Sequence, residues 1–259
     1  MVLPALYPII DFSCFAAKPD PVVAIVRYAE ELITAGATLI QLRDKSQPEQ
    51  TRRFLSCARE LRRVTLDKAT LIINDRVDIC LAADADGVHL GQDDLSPESA
   101  RRIFDLMSGA PTLWVPHPFA SSPLQSSEIA SERVPHPFAS KPLQSSEIPS
   151  ERVGEKKLLI GFSTHNLAQL READALPVDY IAIGPVFATG SKANPDPVVG
   201  LEGVRQARQV TRKPLVAIGG ITRQNCSQVK AAGADAVAVI SDLFESPAKA
   251  VADFLRVLG

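Results

Sequence analysis

Cations follow one of the apolar segments of this 259-residue chain, and their spacing suits a phosphorylated ligand. The segment 38–45 ends with Gln41, Arg43 and Lys45 at alternate positions. Alternation along a strand places these three side chains on one side. An amide and two cations that converge there suit a phosphate or a pyrophosphate group. The alternative interpretation is an exposed charged loop.

Acidic residues follow the next two apolar segments. Asn74 and Asp75 end the first of them, and Asp93 and Asp94 come after His89 and a glycine turn in the second. If these segments are neighbouring strands, Asp75 and one acid of the later pair can converge on one hard cation. Magnesium usually binds one or two carboxylates together with phosphate oxygens and waters. Helix capping by the first pair and a turn role for Asp93 remain alternatives.

Hydroxyl groups, one further cation and glycine turns stand at corresponding points in the second half of the chain. They are Ser163, Thr189, Ser191, Lys192, Gly220, Ile240 and Ser241. Hydroxyls and a lysine suit phosphate, and glycine lets the backbone approach an anion. Thr164 and Asn166 have the character of helix-start residues. His165 is interpreted as structural, because no acid partner is visible in the sequence.

Eight apolar segments, each followed by a helical pattern, must position these residues. The predicted strands span 5–10, 38–42, 69–74, 86–90, 157–162, 179–184, 214–220 and 234–241. The predicted helices span 21–36, 49–67, 76–83, 96–104, 166–173, 201–211, 223–233 and 247–258, with Ser96 as an N-cap and Pro97 in the first turn of the fourth. This alternation predicts a single α/β domain, a (β/α)8 TIM barrel over 1–259, with its active site at the carboxyl ends of the strands. An open doubly wound sheet is the alternative.

A duplicated stretch rich in Pro and Ser interrupts this pattern at 115–152, between the fourth helix and the fifth strand. VPHPFASSPLQSSEIASER is followed by VPHPFASKPLQSSEIPSER. Its prolines suppress regular structure, so we expect a flexible surface insertion on the face opposite the active site. A metal site at His117 and His136 is disfavoured, because nineteen residues separate them and no regular element orients them.

Composition narrows the classes of partner. The net charge of −2 and the lack of a long basic run argue against nucleic-acid binding. No apolar run has transmembrane length and the amino terminus is a poor secretory signal, so no membrane partner is expected. The four cysteines are widely spaced, which fits a reducing cytoplasm better than a disulfide framework or a thiolate zinc site. A homodimer is expected only because it is the commonest symmetry.

The motifs QLRDK, INDR, ADGVHLGQDD, GFSTHN, YIAIGPVFATGSK, VAIGGI and AVAVIS, in this order, closely resemble thiamine phosphate synthases. The resemblance spans about 5–114 and 153–258 and leaves the duplicated stretch outside. It implies a transferase that joins 4-amino-5-hydroxymethyl-2-methylpyrimidine diphosphate to 4-methyl-5-(2-hydroxyethyl)thiazole phosphate, giving thiamine phosphate and pyrophosphate. In the family the pyrimidine C–O bond breaks first, and Mg²⁺ and cations stabilise the leaving pyrophosphate.

The resemblance also implies a role for each matching residue. The pyrimidine diphosphate would be held by Gln41, Arg43, Lys45, Asn74 and Lys192. Mg²⁺ would be bound by Asp75 and Asp94, and the pyrophosphate would lie at Ser163. The thiazole phosphate would be contacted by Thr189 and Ser191 together with the backbone of Gly220, Ile240 and Ser241. Arg43, Lys45, Lys192 and Ser163 would be the catalytic groups. Ser191 stands where the family often has Thr, and the hydroxyl is kept.

Two other functions stay open from the sequence. A thiazole tautomerase shares the barrel and the thiazole phosphate site but need not bind pyrophosphate. A non-catalytic, phosphate-binding regulatory barrel would need neither the acids nor the full set of cations. The presence of Arg43, Lys45, Asp75, Asp94 and Lys192 together favours the synthase.

Overall fold

Eight parallel strands form a closed barrel in the order β1 to β8, in the computed structural model that describes residues 2–45, 51–107, 157–189 and 196–259. The strands are β1 (Leu6–Asp11), β2 (Leu39–Arg43), β3 (Thr70–Asn74), β4 (Gly87–Leu90), β5 (Leu159–Thr164), β6 (Tyr180–Ile183), β7 (Leu215–Ile218) and β8 (Ala236–Val239). β8 pairs with β1 and closes the ring. The predicted barrel is therefore confirmed, and the open sheet is excluded.

A helix follows every strand on the outside of the barrel. The helices are α1 (Pro21–Thr34), α2 (Thr51–Thr65), α3 (Val77–Ala82), α4 (Pro97–Met107), α5 (Leu167–Ala175), α6 (Gly200–Val210), α7 (Cys226–Ala231) and α8 (Pro247–Leu258). The Ser96 hydroxyl accepts a hydrogen bond from the N–H of Ser99 at 3.3 Å, as expected of the N-cap before Pro97. No helix in the described part of the chain is long and apolar enough to cross a membrane.

The fifth strand begins and ends two residues later than predicted. Thr164, expected at the start of a helix, is the last residue of β5 and is buried. Its hydroxyl donates to the carbonyl of Ala182 on β6 at 2.8 Å, so the polar side chain is satisfied within the sheet. Asn166 does begin the helix, because its side chain accepts from the N–H of Gln169 at 3.0 Å.

The duplicated stretch 115–152 lies outside the described residues. α4 ends at Met107 and β5 begins at Leu159, on either side of it. The barrel unit comprises Met1–Phe104 and Lys157–Gly259. The expected flexibility of the insertion, its predicted face and the single-domain organisation therefore stay predictions.

Apolar side chains form two packed layers that hold the barrel in position. The larger layer lies between the strands and the helices and includes Ile40, Ile73 and Phe254. The smaller layer fills the barrel interior and includes Tyr7, Leu39, Ile72 and Tyr180. This arrangement leaves the carboxyl ends of the strands as the place where polar side chains gather.

The opposite face of the barrel carries a repeated ionic contact. An aspartate directly before β4, β6 and β8 accepts a hydrogen bond from a backbone N–H of the preceding strand and pairs with an arginine of α2, α4 or α6. The three sets are Asp86 with Leu71 (2.8 Å) and Arg62 (3.0 Å), Asp179 with Ile160 (2.9 Å) and Arg101 (2.5 Å), and Asp235 with Leu215 (2.8 Å) and Arg208 (2.7 Å). These contacts join neighbouring strands to the helix layer, far from the strand ends that carry the predicted chemistry.

Candidate active site

A cavity of about 540 Å³ opens at the carboxyl ends of the strands. Most of the residues predicted from the sequence line it together. They are Gln41, Arg43, Lys45, Asn74, Asp75, Asp94, Ser163, Thr189, Gly220, Ile240 and Ser241. Ser191 and Lys192 lie outside the described residues, so their predicted roles stay predictions.

The end of β2 supplies the two cations. Arg43 pairs with Asp11, which is the residue beside it in the register of β1 and β2. Asp11 is buried, and it also accepts from the backbone N–H of Ser13 at 3.0 Å and from its hydroxyl at 2.6 Å. A guanidinium carries five N–H donors, so Asp11 can fix Arg43 while other donors remain for an anion. Sequence analysis missed this positioning acid.

Lys45 pairs with Asp75, and Asp75 in turn shares a hydrogen bond with Asp94. Burial raises the pKa of Asp75 from 3.8 to about 6, and the contact with Asp94 adds to the rise, whereas Lys45 acts in the opposite direction. Asp94 also accepts from the N–H of Gly91 at 2.7 Å. Two carboxylates this close repel each other once both are ionised, so a second positive charge is favoured beside them.

The backbone at Asp75 adopts a left-handed conformation, with φ of 62°. Its N–H donates to the carbonyl of His89 on β4 at 2.8 Å. Non-glycine residues rarely adopt this conformation, and it is often found where a side chain is held for function. Here it accompanies the turn of Asp75 from the end of β3 towards Lys45 and Asp94.

Asn74, the last residue of β3, presents an unsatisfied group to the cavity. The residue is 6% exposed, and its Nδ2 has no hydrogen-bond partner within the described residues. Buried amide donors are nearly always paired, because an unpaired one costs about 1–3 kcal/mol. An acceptor on a bound ligand would satisfy it.

His89 and Ser163 lie side by side on β4 and β5. His89 Nε2 is 2.8 Å from Ser163 Oγ. Burial lowers the pKa of His89 from 6.5 to about 4, although the charge of Asp94 acts the other way. The imidazole is therefore neutral near pH 7, and it carries a single proton on one of its two ring nitrogens.

Backbone groups dominate the part of the cavity formed by β6, β7 and β8. Gly219 and Gly220 have φ of 101° and 61°, and a Cβ at Gly220 would lie 2.6 Å from the carbonyl oxygen of Ala188. Asn225 holds this turn, because its Nδ2 donates to the carbonyl of Gly220 at 3.0 Å and its Oδ1 accepts from the N–H of Thr222 at 2.8 Å. A short 3₁₀ turn follows β8 and begins at Ser241.

His165 has an acid neighbour that the sequence did not reveal. Its Nδ1 donates to the carbonyl of Gly184 at 2.9 Å and lies 3.5 Å from Oδ2 of Asp196. Asp196 is in the loop after β6, thirty-one positions further along the chain. The hydrogen bond to Gly184 gives His165 a structural contact, and its acid neighbour was not visible in the sequence; the structural interpretation of His165 stays a prediction.

Sequence analysis also missed two tyrosines in the barrel interior. Tyr7 on β1 and Tyr180 on β6 are almost fully buried, and their hydroxyls are 2.8 Å apart. Alternation along β1 could have indicated Tyr7, since Tyr7, Ile9 and Asp11 occupy one side of that strand. A tyrosine among apolar strand residues is nevertheless ordinary, so the pattern alone does not distinguish it.

Comparison with known proteins gives concordant matches over most of the chain. The model of the thiamine monophosphate synthase family matches residues 13–110 and 144–243. The thiamine-phosphate synthase of Koribacter versatilis is 43% identical over 256 residues, which cover 99% of this chain and 96% of that protein. The thiamine-phosphate synthase of Chloroflexus aurantiacus is 36% identical over 213 residues, covering 82% of this chain and 74% of that protein.

A solved structure agrees with the sequence comparison. Thiamine phosphate pyrophosphorylase from Pyrococcus furiosus superposes with a TM-score of 0.68 at 28% identity, and the match covers 98% of this chain and 95% of that one. The family match omits 111–143, which is most of the duplicated stretch.

Proposed function

The chain belongs to the thiamine monophosphate synthase family, and from that premise we propose that it condenses a hydroxymethylpyrimidine diphosphate with a thiazole phosphate to give thiamine phosphate and pyrophosphate. It is a transferase of thiamine biosynthesis that acts on small molecules. The observation that carries the proposed chemistry is the joined set of Lys45, Asp75 and Asp94 at the mouth of the cavity.

The pyrimidine diphosphate would bind across the ends of β2, β3 and β5. Arg43, fixed by Asp11, and Lys45 would face the diphosphate oxygens and stabilise negative charge as it grows on the leaving group. Asn74 would use its unpaired Nδ2 and Gln41 its amide to orient the pyrimidine end. Lys192 and Ser163 are proposed as the remaining contacts of the pyrophosphate, as the family resemblance implies.

The residues present fit a magnesium ion held by Asp75 and Asp94. Two adjacent carboxylates, one with a raised pKa, are the oxygen ligands that a hard divalent cation favours. The described residues hold no group of three or more acids, histidines or cysteines suited to a metal. Magnesium commonly takes two carboxylates and completes its shell with phosphate oxygens and water. Bound Mg²⁺ would neutralise diphosphate charge.

The thiazole phosphate would bind in the half of the cavity formed by β6, β7 and β8. Thr189 and Ser191 are proposed to donate hydroxyls to its phosphate, with the backbone N–H groups near Gly220 and Ser241. The glycine turn supports this placement, since Gly219 and Gly220 both line the cavity and have no side chain to keep an anion from their backbone. The thiazole nitrogen would then face the pyrimidine across the barrel mouth.

The composition of the cavity wall supports a dissociative reaction. No cysteine lines the described cavity, and burial raises the pKa of the Tyr7 hydroxyl on its wall and of the neighbouring Tyr180 hydroxyl, so neither thiol nor phenol is an apt nucleophile there. What the wall does provide is cations near one ligand and hydrogen-bond donors near both. Charge stabilisation of a departing pyrophosphate needs these groups and no covalent intermediate with the protein.

The decisive experiment is an assay of purified protein with both precursors, with and without Mg²⁺. Magnesium-dependent formation of thiamine phosphate and pyrophosphate is expected. If neither condition yields thiamine phosphate, the proposed function is wrong. Conversion of a thiazole isomer without any pyrimidine substrate would instead identify the tautomerase, and binding without turnover would identify a regulatory barrel.

We also propose that the protein works in the reducing cytoplasm. All four cysteines are free thiols in the structure, and three of them are buried. A homodimer remains an expectation from common symmetry.

A further inference from the structure

A row of hydrogen bonds crosses the barrel interior beneath the cavity. Gln41 Nε2 donates to the Tyr7 hydroxyl at 2.9 Å, and that hydroxyl is 2.8 Å from the Tyr180 hydroxyl. The Tyr180 hydroxyl is 3.1 Å from Nδ1 of His89, whose Nε2 is 2.8 Å from Ser163 Oγ. We call these five residues the interior row. Its ends, Gln41 and Ser163, both line the cavity.

A donor at Gln41 allows one continuous direction for the other bonds in the row, in which each group accepts one hydrogen bond and donates the next. Each tyrosine hydroxyl has one hydrogen, so Tyr7, which accepts from Gln41, can donate its own to Tyr180. Tyr180 then donates to Nδ1 of His89. A neutral imidazole with an accepting Nδ1 carries its proton on Nε2, which therefore donates to Ser163 Oγ.

The hydroxyl hydrogen of Ser163 is consequently left for the cavity, because its oxygen already accepts from His89. At the other end, Gln41 uses Nε2 inside the barrel, which leaves its Oε1 as an acceptor. In the reverse direction, Ser163 would donate its hydrogen to His89 and would offer only lone pairs to an anionic ligand. The row thus decides whether Ser163 attracts or repels a phosphate oxygen.

We propose that His89 is a positioning residue that fixes the Ser163 hydroxyl as a hydrogen-bond donor to the leaving pyrophosphate, with its own orientation set by Tyr7 and Tyr180. This inference rests on the proposed function for the identity of the ligand. The row itself is a property of the free protein. Its proposed effect on the leaving pyrophosphate is exerted through the Ser163 hydroxyl.

The packing around Tyr180 holds its ring in the position that the row requires. A Cβ at Gly161 would lie 2.0 Å from Cζ and 2.3 Å from the hydroxyl oxygen of Tyr180, so only glycine leaves room for the ring. The rings of His89 and Tyr180 stack at 5.5 Å, and those of Tyr7 and Tyr180 meet edge to face at 6.0 Å. These contacts restrain both the ring planes and the hydroxyl positions.

Nitrogen-15 chemical shifts of His89 in the wild-type protein test the direction of the row. We expect the proton on Nε2 and an unprotonated Nδ1. A proton on Nδ1 would reverse the row and overturn the proposal. The measurement needs no substrate, so it stays informative even if the wild-type protein makes no thiamine phosphate, a result that would refute the proposed function alone.

A matched pair of variants tests the effect on catalysis. His89→Gln puts an amide donor near the position of Nε2, whereas His89→Asn reaches only the position of Nδ1. We expect the glutamine variant to keep most of kcat, and the asparagine variant to lose about ten- to a hundredfold, the range for a hydrogen bond to a charged group. KM for the thiazole phosphate should not change. Equal losses of kcat in both variants would contradict the proposal.

Tyrosine variants separate the row from general packing. Tyr180→Phe removes the donor to His89 and should give a mixture of the two His89 tautomers with a lower kcat. Tyr28→Phe is the control, because its buried hydroxyl has no hydrogen-bond partner in the described part of the chain and its ring packs on Phe15 and Phe244. If Tyr28→Phe lowers kcat as much as Tyr180→Phe, the effect is one of packing and the proposal fails.

Discussion

Asn74→Ala should stabilise the free protein while it weakens substrate binding. The wild-type side chain keeps Nδ2 buried without a partner, which costs about 1–3 kcal/mol. Alanine removes that group and loses some packing, but the vacated space adjoins the cavity and can fill with water. The balance predicts a gain of about 1 kcal/mol in the free energy of unfolding, or a rise of roughly 2–4 °C in Tm. KM for the pyrimidine diphosphate should rise about tenfold.

Asn225→Ala is the matched control, because the same chemical change there removes satisfied hydrogen bonds. Asn225 donates to the carbonyl of Gly220 at 3.0 Å and accepts from the N–H of Thr222 at 2.8 Å. Two such bonds contribute about 1–3 kcal/mol, so this variant should be destabilised by that amount. Because it holds the turn proposed for the thiazole phosphate, it should raise KM for that substrate instead.

Urea denaturation at neutral pH measures the two stabilities, and initial rates at varied concentrations of each substrate measure the two KM values. Asn74→Ala is expected to raise the free energy of unfolding and Asn225→Ala to lower it. KM for the pyrimidine diphosphate should rise in Asn74→Ala, and KM for the thiazole phosphate should rise in Asn225→Ala. If Asn74→Ala is destabilised as much as Asn225→Ala, then Nδ2 of Asn74 has a partner in the free protein and the reasoning is refuted. An unchanged KM for the pyrimidine diphosphate would refute the binding role alone.

Three further predictions concern the metal, the insertion and the opposite face. Asp94→Asn keeps an acceptor for the N–H of Gly91 and should lower turnover at least a hundredfold. It should also abolish the rise in Tm that Mg²⁺ with pyrophosphate produces in the wild-type protein. Near-normal turnover would exclude the metal role of Asp94. Deletion of 115–152 should leave kcat and both KM values close to wild type, and a folded but inactive deletion variant would show that the insertion serves the site. Asp179→Asn should lower the free energy of unfolding, measured with urea at pH 7, by about 1.5–3 kcal/mol without a change in kcat. Although burial acts to raise the pKa of Asp179, hydrogen bonds from Lys157, Ile160 and Arg101 lower it overall. The charged carboxylate therefore contributes its full stability above its unfolded pKa of about 4, and the difference from Asp179→Asn should shrink below that pH and disappear once the pH has fallen through the lowered pKa of the folded protein. A difference that does not shrink as the pH falls below about 4 would disprove the ionic origin.

The barrel and most of the cavity wall were predictable because they depend on local patterns. Apolar segments that alternate with helical ones specify a parallel sheet, and their number specifies closure. Residues such as Asp75 and Ser163 then fall at strand ends by position alone. The error at β5 has a physical reason, because Ser163 and Thr164 are polar and resemble a loop. In a barrel, polar side chains at the mouth still belong to the strand, and Thr164 finds its acceptor on β6.

The contacts that were not predictable depend on barrel closure and on register. Tyr7 and Tyr180 are 173 positions apart and meet only because β1 and β6 face each other across the interior. Asp11 meets Arg43 because the register of β1 and β2 places them side by side. The spacing of these residues in the sequence does not indicate that they are in contact. Sequence motifs therefore identify side chains that face the ligand, such as Arg43, but not the side chains that orient them, such as Asp11.

The division between a charged mouth and a neutral interior follows from what each part must do. The charges at the mouth are balanced in ion pairs, Arg43 with Asp11 and Lys45 with Asp75, and the half-exposed Lys45 can change partners when an anion arrives. A charge in the interior would have no water to solvate it, so orientation there must come from groups that stay neutral, as His89 does. Hydroxyl and imidazole groups can still fix the direction of successive hydrogen bonds, because each group that accepts one hydrogen bond can donate the next. A neutral row can thus set the direction of the Ser163 hydroxyl while charged groups at the mouth change partners.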